Sequence, residues 1–194
     1  MSDSKVQAFT FGDAEPVMNG RDLSQFYETW LCGNYYEPHI SMNALAKSFK
    51  AMPYLSTAVF YKKNQLVSSF TPNKLISSSE FERIAFDYLV FGHGYLQRID
   101  NRLVDPRRCD GLMATSARRM NKPDEFVQLL NGFEEHIFKP GTVCHIKGID
   151  VDQEIYGTPE YIAALQSVWL NESATLFRRK YYNNGSHAGF ILYV

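Results

Sequence analysis

The chain has almost no net charge, few cysteines and no long apolar run, and each shortage removes a class of function. Twenty basic residues stand against 21 acidic ones, a formal charge of −1. A freestanding nucleic-acid binder carries a clear basic excess, so any DNA contact has to come from a local patch. The three cysteines, Cys32, Cys109 and Cys144, are odd in number and far apart. None is paired at a metal-ligand spacing, and no secretory signal precedes them, which points to free thiols in a reducing cytoplasm. No apolar stretch approaches the length that spans a bilayer. Neither a signal peptide nor a basic amphipathic leader is visible, so no membrane role is expected. Internal repeats and low-complexity tracts are missing as well.

Catalytic constellations are equally scarce. None of the five histidines, His39, His93, His136, His145 and His187, has a His, Cys or carboxylate at a spacing typical of a metal site. Cys144 and His145 are neighbours in a strand pattern, where adjacent side chains point to opposite faces. His145 therefore reads as a core or edge residue. Gly92-His93-Gly94 lacks the Lys-Ser/Thr pair of a phosphate loop and follows a helix instead of opening one. It reads as a helix C-cap and turn. Asp150, Asp152 and Glu154 lack the glycine and the bidentate glutamate of a calcium loop. The chain is expected to be no enzyme and to hold no cofactor or metal.

What is present is an ordinary apolar share of 45 % and a rich aromatic share of 14 %, with 12 Tyr and 14 Phe. Residues 1–37 read as a flexible N-terminal arm, with Phe9 and Phe11 as short docking anchors. Phe26, Tyr27, Trp30, Leu31, Tyr35 and Tyr36 form an aromatic cluster within it. This cluster packs either on the following domain or on a partner subunit. The spacing predicts a helix from Ile40 to about Phe49, capped by Ser41. Leu55 to Tyr61 and Leu66 to Phe70 read as a β-hairpin with Lys62 and Lys63 at its tip. A helix from the Ser77–Ser79 cap to about Phe91 is well signalled by Phe81, Ile84, Ala85, Tyr88 and Leu89. Tyr95–Ile99, Phe126–Leu130 and Thr142–Ile146 read as strands, with a Pro140-Gly141 turn before the last. The window 105–125, with Arg107, Arg108, Arg118, Arg119 and Lys122, reads as a solvated loop. A phosphate contact there is the alternative.

The end of the chain carries the strongest pattern. Thr158 suits an N-cap, Pro159 the first helical position and Glu160 the positive end of the helix dipole. Ile162, Leu165, Trp169 and Leu176 recur at helical steps. Arg178, Arg179 and Lys180 crowd the last turns before an Asn183-Asn184-Gly185 stop. These cations either balance the dipole or present charge to a phosphate backbone or acidic neighbour, and both roles stay open. Residues 189–194, Gly-Phe-Ile-Leu-Tyr-Val, read as a strand with no later segment to pair with. The whole is α+β, ending in one long helix and a terminal strand.

Several segments carry a family resemblance. "EPHISMNALAKSF", "FERIAFDYLVFGHGYLQRI", "FKPGTVCHIKGIDVDQEIYG" and the run from Gln153 to Val194 closely resemble the portal proteins of tailed bacteriophages, of the PBSX type. The match is collinear from about Asn34 onward. It is weakest across 107–125, where the family carries Pro-Ala-Lys-Tyr and this chain has "TSARRM".

The resemblance implies a ring of identical subunits at a capsid vertex, through which DNA is packaged. Residues 38–156 would form the wing, and 157–194 the first stem helix and the first strand toward the clip. The second stem helix and the rest of the clip would lie beyond Val194, so the chain is expected to be a truncated form. Subunit contacts are expected from Ile162, Leu165, Trp169, Leu176, Phe190 and Leu192, and weak DNA contact from Arg178, Arg179 and Lys180. Expected partners are further copies, full-length portal subunits, and terminase, capsid or scaffold proteins. The expected location is the bacterial host cytoplasm, or the virion once incorporated. The alternative is a decoy from a prophage remnant, satellite or defence locus that binds portal subunits and blocks assembly.

Overall fold

A computed structural model describes residues 30–101, 103, 105–130, 134–151 and 153–183. Several sequence-based expectations lie outside these residues: Phe9, Phe11, Phe26 and Tyr27 of the arm, Asp152, the Asn184-Gly185 stop, and the terminal strand with Phe190 and Leu192. The described residues form an α+β domain followed by a long helix.

The elements run β1 (Trp30–Cys32), β2 (Tyr35–Glu37), α1 (Met42–Ala51), α2 (Pro53–Ser69), α3 (Ser78–Phe91), β3 (His93–Asp100), β4 (Pro106–Leu112), β5 (Ala117–Arg119), β6 (Phe126–Leu130), β7 (Glu134–Ile137), β8 (Val143–Lys147), a 3₁₀ turn (Glu160–Ala164) and α4 (Leu165–Asn183). All strand pairs are antiparallel, in a β1-β2 hairpin and two three-stranded sheets ordered β4-β3-β8 and β5-β6-β7. Helix α3 lies on one face of the first sheet, held by side-chain bonds to backbone amides of β4 and the turn after it. Glu80 Oε2 accepts from the Gly111 N–H at 2.5 Å, and Asp87 Oδ2 from the Ala114 N–H at 3.0 Å. Burial raises the Asp87 carboxyl above its usual range. The core joins Leu45 and Phe49 of α1, Val90 and Phe91 of α3, Tyr95 of β3, Phe126 of β6 and Leu165 of α4.

Both predicted N-caps in the first half form. The Ser41 Oγ accepts from the Ala44 N–H and the Ser77 Oγ from the Glu80 N–H, each at 3.3 Å. Gly92 closes α3 in the left-handed region at φ 81°, its N–H bonded to Tyr88 O at 2.8 Å. His93 and Gly94, expected in the turn after it, already belong to β3.

Four expectations need correction. Residues 55–70 are no hairpin: Pro53–Ser69 is a single helix. Pro53 starts it without needing an N–H, and Leu55, Val59, Lys63 and Val67 repeat every four residues along its more buried side. The polar middle that looked like a turn is held by distant partners. Lys62 pairs with Glu160 at 2.8 Å, Lys63 with Glu82 at 2.5 Å, and Phe60 stacks on Phe86 at 5.5 Å. The window 105–125 is no loop either, since it contains β4 and β5. Its Arg118 is largely buried against Glu37 at 3.0 Å, so a solvated cation is not what that residue provides. The end of the predicted arm is ordered as well. The β1-β2 hairpin docks through a Tyr35–Met120 bridge and an Asn121 N–H to Asn34 O bond of 3.0 Å. Finally, Thr158 caps no helix: its hydroxyl bonds Asp150 across the connector, and the helical segment opens as a 3₁₀ turn without a side-chain cap. Strand β7, whose four residues are all exposed, escaped prediction.

One substitution separates the helix from the hairpin. Gln65→Pro removes a backbone donor inside an exposed stretch of α2, so urea unfolding should show a loss of about 3 kcal/mol. A loss below about 1 kcal/mol would contradict a continuous helix, because a turn accepts proline.

Candidate subunit-interaction surface

Three backbone segments cross where the long helix leaves the domain. The Gly148 N–H donates to Gly92 O at 2.9 Å. A Cβ placed on Gly157 would stand 2.1 Å from that same Gly92 oxygen, and one on Gly92 would stand 2.4 Å from the Thr158 carbonyl carbon. No larger residue fits either position without moving main chain. Beside the crossing, Tyr161 Oη donates to Val90 O at 2.6 Å, and His93 Nδ1–H donates to Gly157 O at 3.4 Å. Tyr156 is 1 % exposed. Its hydroxyl donates to Tyr36 O at 2.5 Å and accepts the Arg119 N–H at 3.3 Å, and burial pushes its phenol up to about 12. The Lys62–Glu160 pair adds a tie at the rim, but both side chains are mostly exposed, so it contributes at most about 1 kcal/mol.

Under this crossing sits an aromatic cluster that sequence reasoning missed. His93 and Tyr95 are fully buried. His93 stands edge-on to His145 at 5.5 Å, and His145 stacks on Tyr95 at 4.4 Å. Burial depresses His93 to about 4 and His145 to about 3, so both rings are neutral at pH 7. Alternation of His93, Tyr95 and the facing His145 was the available signal, but a glycine on each side of His93 disguised the start of the strand.

Helix α4 divides its apolar residues between two stripes. Leu165 is 2 % exposed and belongs to the core, with Ile162 and Trp169 packed against it and Leu176 half-buried further out. The predicted interface set is therefore largely the line on which the helix seats its base. A second line, Leu170, Phe177 and Tyr181, lies about 100° around the helix at 3.6 residues per turn. These three are 74 %, 66 % and 45 % exposed, and Tyr182 beside them 72 %. Such large apolar side chains along one helix face make this stripe the candidate interaction surface. Arg178, Arg179 and Lys180 are exposed around the same turns, with Arg178 Nε donating to Ala174 O at 3.3 Å.

A cleft of about 280 Å³ opens between α2 and the connector, lined by Leu55, Val59, Leu89, Ile149 and Tyr161 among others. Ile149 and, two residues on, Val151 are fully exposed. Among the described residues no group of His, Cys, Asp or Glu could hold a metal, and no helix is long and apolar enough to cross a membrane.

The crossing makes a quantitative demand. Gly157→Ala should destabilise the domain by about 3 kcal/mol through forced main-chain movement. Gly33→Ala, at φ 64° but with open space around it, should cost only about 1 kcal/mol from left-handed strain. Equal losses in paired thermal melts would contradict a close-packed crossing.

Comparison with known proteins agrees with this architecture. No protein-family model matches the chain. Over 193 residues, 100 % of the chain and 56 % of the relative, it is 42 % identical to the "Probable portal protein" of Escherichia phage P2. It is 28 % identical over 166 residues, 82 % of the chain and 48 % of the relative, to the "Probable portal protein" of Haemophilus phage HP1. The chain thus spans about half the length of the curated relatives it matches. The fold matches a chain in the neck of an empty gene transfer agent particle computed with C6 symmetry, at TM-score 0.64 and 16 % identity, covering 79 % of this chain and 52 % of that one. A chain in the virion of the native particle matches at TM-score 0.63 and 18 % identity, covering 76 % and 46 %. Identity sustained from end to end, on a fold shared with particle-neck chains, makes this chain a relative of the bacteriophage portal proteins.

Proposed function

We propose that the chain is a non-enzymatic structural subunit of a portal-type ring, with residues 38–156 acting as the wing and the helical segment from 157 as the stem. The carrying observation is the outward stripe of α4. Leu170, Phe177 and Tyr181 stand exposed along a helix whose other apolar line is already seated on its own domain. A nearby copy covers such a stripe at little cost, because the crossing at Gly157 has already fixed the helix direction. The relatives' portal names and the ring symmetry of the particle-neck neighbours support the same reading. Ile162, Trp169 and Leu176 back the interface from the domain side, and Phe190 and Leu192 extend it along the chain. Its partners are further copies or full-length portal subunits, met in the host cytoplasm and carried into the virion.

Size-exclusion chromatography with light scattering, alone and with a full-length portal relative, tests this. The parent chain should run as a multimer or join the full-length protein, and Leu170→Glu with Phe177→Glu should return it to a monomer. A parent that is monomeric under both conditions, or a double variant that assembles equally well, would overturn the reading.

Arg178, Arg179 and Lys180 are proposed to face passing DNA phosphates. Each phosphate neutralised contributes about 0.9 to the logarithmic salt slope. Replacing all three by Ala should therefore lower the slope of duplex binding by about 2 to 3. An unchanged slope would leave the triplet a dipole-balancing and solubility feature.

A further inference from the structure

The His93–His145 pair lies under the irregular segment that joins the domain to its long helix, and its ring nitrogens are incompletely used. His93 Nδ1–H donates to Gly157 O, leaving Nε2 as a lone pair. That Nε2, the Nε2 of His145 and the Tyr95 hydroxyl are buried without a hydrogen-bond partner. Unpaired polar atoms in a core are few in native proteins, and each calls for a reason. Here three meet in one cluster, with Tyr156 packed over both imidazoles at 5.3 and 6.0 Å.

The surroundings accept neutral rings and reject charged ones. Arg118 of β5 and His39 of the loop before α1 act on His93; Lys147 of β8 and Arg119 of β5 act on His145. Glu37 of β2 faces the same cluster but is tied to Arg118 at 3.0 Å, and Asp150 holds the Thr158 hydroxyl. A proton on either ring would sit beside cations, with the two ring centres 5.5 Å apart, and on His93 it would be wholly away from water. It can be relieved only if one wall moves. The strand walls are tied by sheet pairing, β3 to β8 from His93 to Gln97 and β3 to β4 from Tyr95 onward. The Tyr156–Thr158 stretch belongs to no ladder, so it is the wall that can move without breaking sheet pairing.

We propose that the His93–His145 pair is a proton-operated latch: neutral rings keep the Gly157 crossing closed, and proton uptake opens residues 156–160 and frees the long helix from the domain. The inference does not depend on the portal reading. Free imidazole titrates near 6.5, and the closed rings titrate at about 4 and about 3. The closed form therefore holds fully above about pH 6.5 and weakens as pH falls below it. At pH 5.0 each released imidazole favours opening by about 30-fold.

Amide hydrogen exchange of the intact chain at pH 7.5 and 5.0, corrected for intrinsic rates, tests the latch. Residues 156–165 should lose protection by about 30-fold or more at pH 5.0, while residues 81–90 of α3 stay protected. Unchanged protection, or simultaneous loss in both segments as one unfolding event, would overturn it. His145→Phe keeps a ring on Tyr95 and removes one titrating group, so its acid response should shrink; a response equal to the parent's would also overturn it. NMR titration of the imidazoles in the unmodified chain is independent of that variant's folding. Ring protonation should coincide with the exchange change, and a ring that titrates near pH 6.5 without it would contradict the latch.

Discussion

The approach of Gly157 to the Gly92 carbonyl is the constraint on which the rest of the molecule hangs. At a separation that leaves no room for a Cβ, the end of α3, the exit from β8 and the entry to the long helix share one point. Gly92 stops α3 in a left-handed conformation and turns the chain directly into β3, the central strand of its sheet. Gly148 fastens the exit of β8 to the same carbonyl. Gly157 then passes over it, and Tyr156 and Tyr161 anchor on either side to Tyr36 and Val90. The helix direction is set by main chain packed on main chain, which is stiffer than side-chain packing alone.

This explains how a helix with little apolar burial of its own can project outward. Of α4, Leu165 is buried and the outer turns are exposed. Most helical stability in proteins comes from tertiary packing and not from propensity, so within the chain the helix draws its support from its base. Division of labour follows from the two stripes. The line through Ile162, Leu165 and Trp169 answers to the domain, while the line through Leu170, Phe177 and Tyr181 stays exposed. In a portal-type ring such an arrangement lets each subunit present a helix already aimed at its neighbour.

Elements governed by local signals could be read from the sequence. Helices α1 and α3 announce themselves through Ser41, Ser77 and Gly92, and β6 and β8 through their apolar runs. Elements governed by distant partners could not. Helix α2 carries a polar middle whose lysines find Glu82 and Glu160 only after folding, and a phenylalanine whose partner Phe86 lies on another helix. Strands β4, β5 and β7 are polar because they sit at sheet edges or face solvent, so no alternation betrays them. Thr158 looked like a cap because the sequence does not reveal that Asp150 folds back onto it. For the interaction surface, periodicity found the helix and its inner stripe. It could not tell which of two apolar lines the domain would cover.

Fixing of the helix by the crossing is tested most directly by a distance distribution. Spin labels on Thr175 of α4 and Ser68 of α2, with Cys32, Cys109 and Cys144 replaced by Ser, report the geometry by double electron–electron resonance. A single narrow distance peak at pH 7.5, broadened by Gly157→Ala, is the predicted result. A broad distribution already in the chain with Gly157 intact would contradict it.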